Sequence, residues 1–177
     1  MLSEQAREAA AAGIHAQLDA LVAEHGARSI SCFLSTPAEP GTRAFVADAA
    51  ARGIRVLLPV TRADGLLDWA VATPEGDIAE GLFGLPEPVG ELLGPIAVND
   101  VDLLVIPAAA VDRTGMRLGW GRGFFDKTLG SMERCPPVYA VVYDSEFVDE
   151  VPSDLHDQRV TGVVTPTRTI TLAPTQR

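Results

Sequence analysis

The strongest constraint on this chain is a set of short apolar runs that fail to alternate. Ser29 to Leu34, Ile54 to Leu58, Asp102 to Ile106 and Val138 to Val142 are each near-continuously apolar over the length of one strand. A half-wet strand alternates apolar and polar residues, whereas an unbroken run is buried on both faces, as in a parallel sheet covered by helices. Between the first two runs, Pro37, Pro40 and Gly41 mark a turn. Thr42 is then placed to cap a helix that runs through Ala51 and closes at Gly53. Strand, helix, strand is the pattern of a βαβ unit with a right-handed crossover. A chain of 177 residues holds one well-buried core and is short for two. The expected fold is therefore α/β: a single three-layer α/β/α domain spanning residues 1–177, with a mostly parallel sheet.

The flanking segments fit that frame. Ser3 to Glu24 reads as a helix, with Ser3 as cap, Ile14, Leu18, Leu21 and Val22 at helical spacing, and Gly26 as its end. Pro59 is expected to stop the second strand, and Ala63-Asp64-Gly65 to turn a hairpin whose second arm is Leu67 to Val71. Residues 74–100, rich in Pro, Gly and acids, read mostly as loop, and a loop of that length is usually functional. Gly123 to Leu129 is a short helix and Thr161 to Val164 a last strand.

Charge excludes some partners. The net charge is −10, from 24 acids against 14 bases, which disfavours nucleic acid and anionic membrane surfaces. Any anionic ligand must then meet a local cluster of arginines. Cys32 and Cys135 form no C-x-x-C pair and have no histidine at metal-ligand spacing, so two free, buried thiols are expected. The opening MLSEQAREAAAAG has no apolar h-region, and Val101 to Val111 is too short to span a bilayer. A cytoplasmic monomer is the default expectation. His15 and His25 fall on or beside the first helix as surface groups.

The chemistry concentrates between Asp102 and Leu129. A buried strand ends at Pro107, and a loop then leads to Gly119, Gly121 and Gly123 at the mouth of a helix. Ligands of open α/β sheets bind beyond the carboxyl ends of the strands. Glycines there let backbone N–H groups approach a phosphate, and a helix N-terminus adds positive potential. Arg117 and Arg122 flank this loop as local cations, and Asp126 follows in the first helical turn. A carboxylate beside a polyphosphate makes sense with Mg²⁺ between them; otherwise Asp126 is a helix-dipole partner and the glycines only a turn. The spacing G-x-G-x-G is neither the dinucleotide G-x-G-x-x-G nor a P-loop, so on the residues alone both readings stand.

The string RLGWGRGFFD resembles the R-L/M-G-x-G-x-G-Y/F-Y/F-D signature of the 5-formyltetrahydrofolate cyclo-ligases. Further similarities follow the family's order: FLSTPAEPGT, GLFGLPEP (like its G-I-x-E-P loop), VIPAAAVDRTG and VPSDLHDQRVTGVVT. That resemblance implies a fold similar to the NagB/RpiA/CoA-transferase-like class. The implied reaction is 5-formyltetrahydrofolate + ATP → 5,10-methenyltetrahydrofolate + ADP + phosphate, with ATP and Mg²⁺ required and small molecules as the only partners. It places ATP along Arg117, Leu118, Gly119, Trp120, Gly121, Arg122, Gly123, Phe124 and Phe125, with Arg117 and Arg122 acting on the phosphates. It assigns Mg²⁺ to Asp126 and Asp157, and folate to Leu34, Glu39 and Phe83, the last by stacking, while Trp69 stays in the core.

Departures are informative. Phe124 and Phe125 stand where the family usually has two tyrosines, and Val111-Asp112 replaces its Phe-Asp. The family's basic K-x-x-L-R arm, which reaches the ATP phosphates, precedes the part that MLSEQAREAAAAG matches. Either the start lies further upstream or the phosphate site has one cationic wall fewer. Two other functions compete: a folate- or nucleotide-binding relative without turnover, and a sugar-phosphate or acyl-transfer enzyme on a similar scaffold.

Overall fold

The computed structural model describes residues 2–119, 123–132, 134–152 and 158–172. Along the chain come helix α1 (Glu4–His25), strand β1 (Ser29–Ser31), helix α2 (Arg43–Ala51) and strands β2 (Arg55–Thr61) and β3 (Leu67–Val71). Strands β4 (Ile78–Glu80), β5 (Pro86–Pro88), β6 (Leu103–Pro107), β7 (Ala110–Asp112) and β8 (Arg117–Leu118) precede helix α3 (Phe124–Ser131). The remaining strands are β9 (Val138–Val141), β10 (Phe147–Val148), β11 (Gly162–Val164) and β12 (Thr169–Thr171).

The main sheet has the order β12-β11-β9-β6-β1-β2-β3. Its interior is parallel, and antiparallel β3 and β12 form the edges. The unbroken apolar runs have a direct structural cause. Val56, Leu58, Leu103, Val105, Tyr139 and Val141 face a core shared with α1 and α2. Their neighbours Leu57, Leu104, Ile106, Val138, Ala140 and Val142 face a second core that includes Phe124 and Leu129 of α3. Period-two geometry thus feeds two cores at once, and no polar face is left to alternate. The three-layer expectation holds.

Helix α1 starts where Ser3 Oγ accepts the Ala6 amide at 3.1 Å and ends at Gly26. Thr42 does precede α2, but its hydroxyl donates to the Phe33 carbonyl at 2.6 Å and caps nothing. It ties the helix to the loop after β1 instead. Cys32 is buried and its thiol is pushed up to about 12 by burial, against a small opposing pull from the Phe33 backbone. Cys135 is also free but exposed, contrary to expectation.

One segment expectation is corrected, and the mostly-loop segment gains detail. Strand β2 runs through Pro59 to Thr61 instead of stopping. Pro59 faces Trp69, whose own amide and carbonyl bond Leu93 on the far side, so the proline occupies a non-hydrogen-bonded position. Residues 74–100 carry an antiparallel β4–β5 hairpin and a 3₁₀ helix, Pro95–Asp100. The hairpin packs on β2. No helix among the described residues is long and apolar enough to cross a membrane.

Candidate active site

A cavity of about 410 Å³ opens beyond the carboxyl ends of β1, β2 and β6, where Leu34, Thr61 and Pro107 reach it. This is where an open α/β sheet leaves its crevice. One wall carries Arg117, Gly119 and the start of α3; the opposite wall carries Leu34, Thr36 and Glu39.

The α3 wall depends on an ion pair. Strand β8 pairs antiparallel with β7, which carries Arg117 inward. The Arg117 side chain is 3% exposed, and its Nη2 donates to Asp126 Oδ1 at 2.6 Å. The Gln158 amide donates to the same oxygen at 3.4 Å. Gly123 stands before α3 at φ 70°, a left-handed conformation that side chains disfavour. The turn that aims β8 is organised by Asp112, which is 3% exposed. Its Oδ1 accepts the Thr114 amide, the Thr114 hydroxyl and the Met116 amide, and its Oδ2 accepts the Val151 amide. Burial pushes this carboxyl up, but the four donors outweigh burial and hold it below the usual range.

The Glu39 wall is fastened by hydrogen bonds between side chains and backbone. Glu39 Oε1 accepts the Thr36 amide at 2.9 Å, Ser35 Oγ accepts the Thr42 amide, and Arg43 Nε donates to the Ser35 carbonyl. Tyr143 reaches across to donate its hydroxyl to the Glu39 carbonyl at 3.4 Å. Nearby, burial pushes the Glu146 carboxyl up; the Tyr143 amide pulls it down and the charge of Glu39 adds to the upward push.

A sequence model of the 5-formyltetrahydrofolate cyclo-ligase family matches residues 1–166. The chain belongs to that family. It is an enzyme of this cyclo-ligase class. It is similar to a 5-formyltetrahydrofolate cyclo-ligase of Mycolicibacterium smegmatis, 37% identical over 94% of this chain and 87% of the relative. The Escherichia coli K12 cyclo-ligase is 29% identical over 80% of each chain. In fold, it resembles the 5,10-methenyltetrahydrofolate synthetase of Aquifex aeolicus, with a TM-score of 0.79 and 24% identity over 99% of this chain and 88% of the other. The Mycoplasma pneumoniae synthetase follows at a TM-score of 0.71 and 18% identity, over 93% and 90%.

Of the residues expected in the cyclo-ligase site, Leu34, Glu39, Arg117, Gly119, Gly123, Phe124, Phe125 and Asp126 line one cavity. Leu118 does not; it is 43% exposed, because successive strand residues point to opposite faces. Phe83 is absent from the lining and packs on Phe124, with ring centroids 5.6 Å apart. Trp120, Gly121, Arg122 and Asp157 lie outside the described residues. Trp69 is a core residue, as expected. His15, Asp19 and Asp48 gather their ligand atoms near α1 and α2, yet Arg52 already pairs with both carboxylates. Sequence reasoning missed Thr61, Leu67 and Glu87 in the lining. For Glu87 the available signal was an acid held between Pro86 and Pro88 next to a glycine-rich turn.

Proposed function

We propose that this cyclo-ligase converts 5-formyltetrahydrofolate to 5,10-methenyltetrahydrofolate while ATP becomes ADP and phosphate. The observation that carries the reading is the meeting, in one cavity, of the Leu34–Glu39 wall with the Arg117–Asp126 wall. A flat, apolar-faced ring system needs apolar lining with a few fixed polar groups, and a triphosphate needs cations and bare backbone. The chain is taken as one domain over 1–177, acting as a monomer on small molecules in the cytoplasm.

The formyl oxygen is a poor leaving group. The γ-phosphoryl group of ATP transfers to it, ADP departs, and the resulting iminium carbon is attacked by N10 of the folate. The carbon–oxygen bond then breaks, phosphate leaves and N10 gives up its proton. Alignment and charge neutralisation supply most of such catalysis. Arg117 brings its guanidinium to the phosphates, Arg122 joins it, and the glycine loop from Gly119 to Gly123 admits them closely. Glu39 accepts hydrogen bonds from the pterin, with Leu34 against its ring.

Asp126 suits Mg²⁺: its side chain is 31% exposed at the cavity, and its Oδ2 accepts no hydrogen bond from the described residues. Hard carboxylate oxygens are what this ion takes, and Asp157 is proposed as the second. Bound there, Mg²⁺ would neutralise phosphate charge.

The test follows methenyltetrahydrofolate absorbance on mixing protein, 5-formyltetrahydrofolate and Mg-ATP. A rise that needs both ATP and Mg²⁺, and that drops by about 10²-fold or more in Asp126→Ala, is expected. A flat trace with folded wild-type protein overturns the reading.

A further inference from the structure

The segment GLFGLPEP, Gly81 to Pro88, holds a group that the chemistry above leaves idle. Glu87 sits in β5, is 7% exposed and lines the large cavity. Its Oε2 accepts two hydrogen bonds from Thr61, one from the amide at 2.8 Å and one from the hydroxyl at 2.6 Å. Its Oε1 accepts none, and no Lys, Arg or His pairs with Glu87 among the described residues. Burying a carboxyl group costs free energy unless donors reach its oxygens. Here one oxygen has two donors, while the other lies on the Gly81 side, has no donor among the described residues and is not fully enclosed.

The placement is built. A Cβ at position 81 would overlap the Glu87 carboxylate, so bare backbone at Gly81 makes room for it. The hairpin pairs Ala79 with Glu87 and leads directly into Gly81. A strut joining β5 to β2 would need only Oε2 and Thr61. It gives no reason to leave Oε1 bare at a cavity whose lining includes Pro59, Leu67, Leu85 and Phe124.

We infer that Glu87 is a second substrate-binding carboxylate, whose Oε1 accepts a ring N–H of the pterin at the buried end of the cavity. The half-buried Glu39 then serves the more open end. This rests on the folate reading above. One free oxygen fits a single N–H donor, and an acceptor fixed in an apolar wall sets which way round the ring enters.

Calorimetric titration with 5-formyltetrahydrofolate, and separately with Mg-ATP, tests the assignment in the wild-type protein and in Glu87→Gln. The folate Kd is expected to weaken roughly ten- to hundred-fold in Glu87→Gln. The Mg-ATP Kd should stay within about twofold. Thr61→Val removes the hydroxyl but leaves Oε1 in place, so its folate Kd should change less than about threefold. Equal folate affinity in Glu87→Gln and wild type overturns the inference and leaves the folate reading intact. A wild-type protein that binds no folate overturns both. Should Glu87→Gln fail to fold, Gly81→Ala, which displaces the carboxylate without removing it, takes the same titration. Unchanged affinity there is equally fatal to the inference.

Discussion

Asp112 and Glu87 are both buried carboxylates held by neutral donors, one under the turn that leads into β8 and the other in the cavity wall. They differ in saturation. Asp112 has four donors spread over both oxygens, while Glu87 has two donors on one. The first group is closed and can only hold structure; the second has an oxygen left for a ligand. Burial alone therefore does not separate a structural acid from a binding one. The count of unspent lone pairs does.

Stability measurements can break that comparison. Asp112→Ala strands three backbone amides and a hydroxyl in the interior, and should cost about 3 kcal/mol in denaturant unfolding. Glu87→Ala frees only the Thr61 donors and should cost about 1 kcal/mol. Equal costs would mean that Glu87 is as structural as Asp112. The pH dependence has a fixed sign. Because the folded Asp112 carboxyl lies below its ordinary value, its contribution is present above the unfolded value of about 3.9 and is lost as pH falls through the folded one. Wild-type stability should drop in that acid window, and Asp112→Asn should flatten this part of the drop.

Asp126 offers a third arrangement, a partly exposed carboxylate facing a buried guanidinium. Arg117→Met leaves Asp126, among the described residues, with the Gln158 amide as its hydrogen-bond donor. Because Asp126 is partly solvated, the expected loss of stability is smaller, about 2 kcal/mol. Turnover should fall about 10²-fold in the absorbance assay, since the same guanidinium is proposed to meet the phosphates. Stability lost without turnover lost would make Arg117 a strut like Asp112.

The unbroken runs announced two-sided burial, so the parallel interior and its helices were readable. Pro59 misled because its effect depends on register: opposite Trp69 it sits where no hydrogen bond is due, and only the pairing partner reveals that. Strands β7, β8 and β10 span two or three residues each, too short to show a period; β7 and β8 form a tight hairpin, and β10 exists through the long-range pairing of Phe147 with Val111. Local pattern cannot carry that information. The same limit applied in the site. Leu34 and Glu39 came from one contiguous segment and the α3 wall from another, whereas the outward side of Leu118 was not legible, because a motif has no inside and outside until a strand gives it faces. Glu87 was hidden for the reason that makes it informative, since Thr61 meets it from another strand.

Phe83 provides the finest discrimination, because it shares the GLFGLPEP segment with Glu87. It is 37% exposed and packs on Phe124, which lines the cavity. Removing it in Phe83→Ala should forfeit an aromatic pair worth about 1 kcal/mol and raise the folate KM by less than about fivefold. The effect should be smaller than that of Glu87→Gln, and it should appear in stability as well as in KM. If instead Phe83→Ala raises KM as far as Glu87→Gln while the unfolding free energy stays fixed, the ring touches folate directly. The aromatic would then be the segment's binding group, and the buried acid merely its anchor to β2.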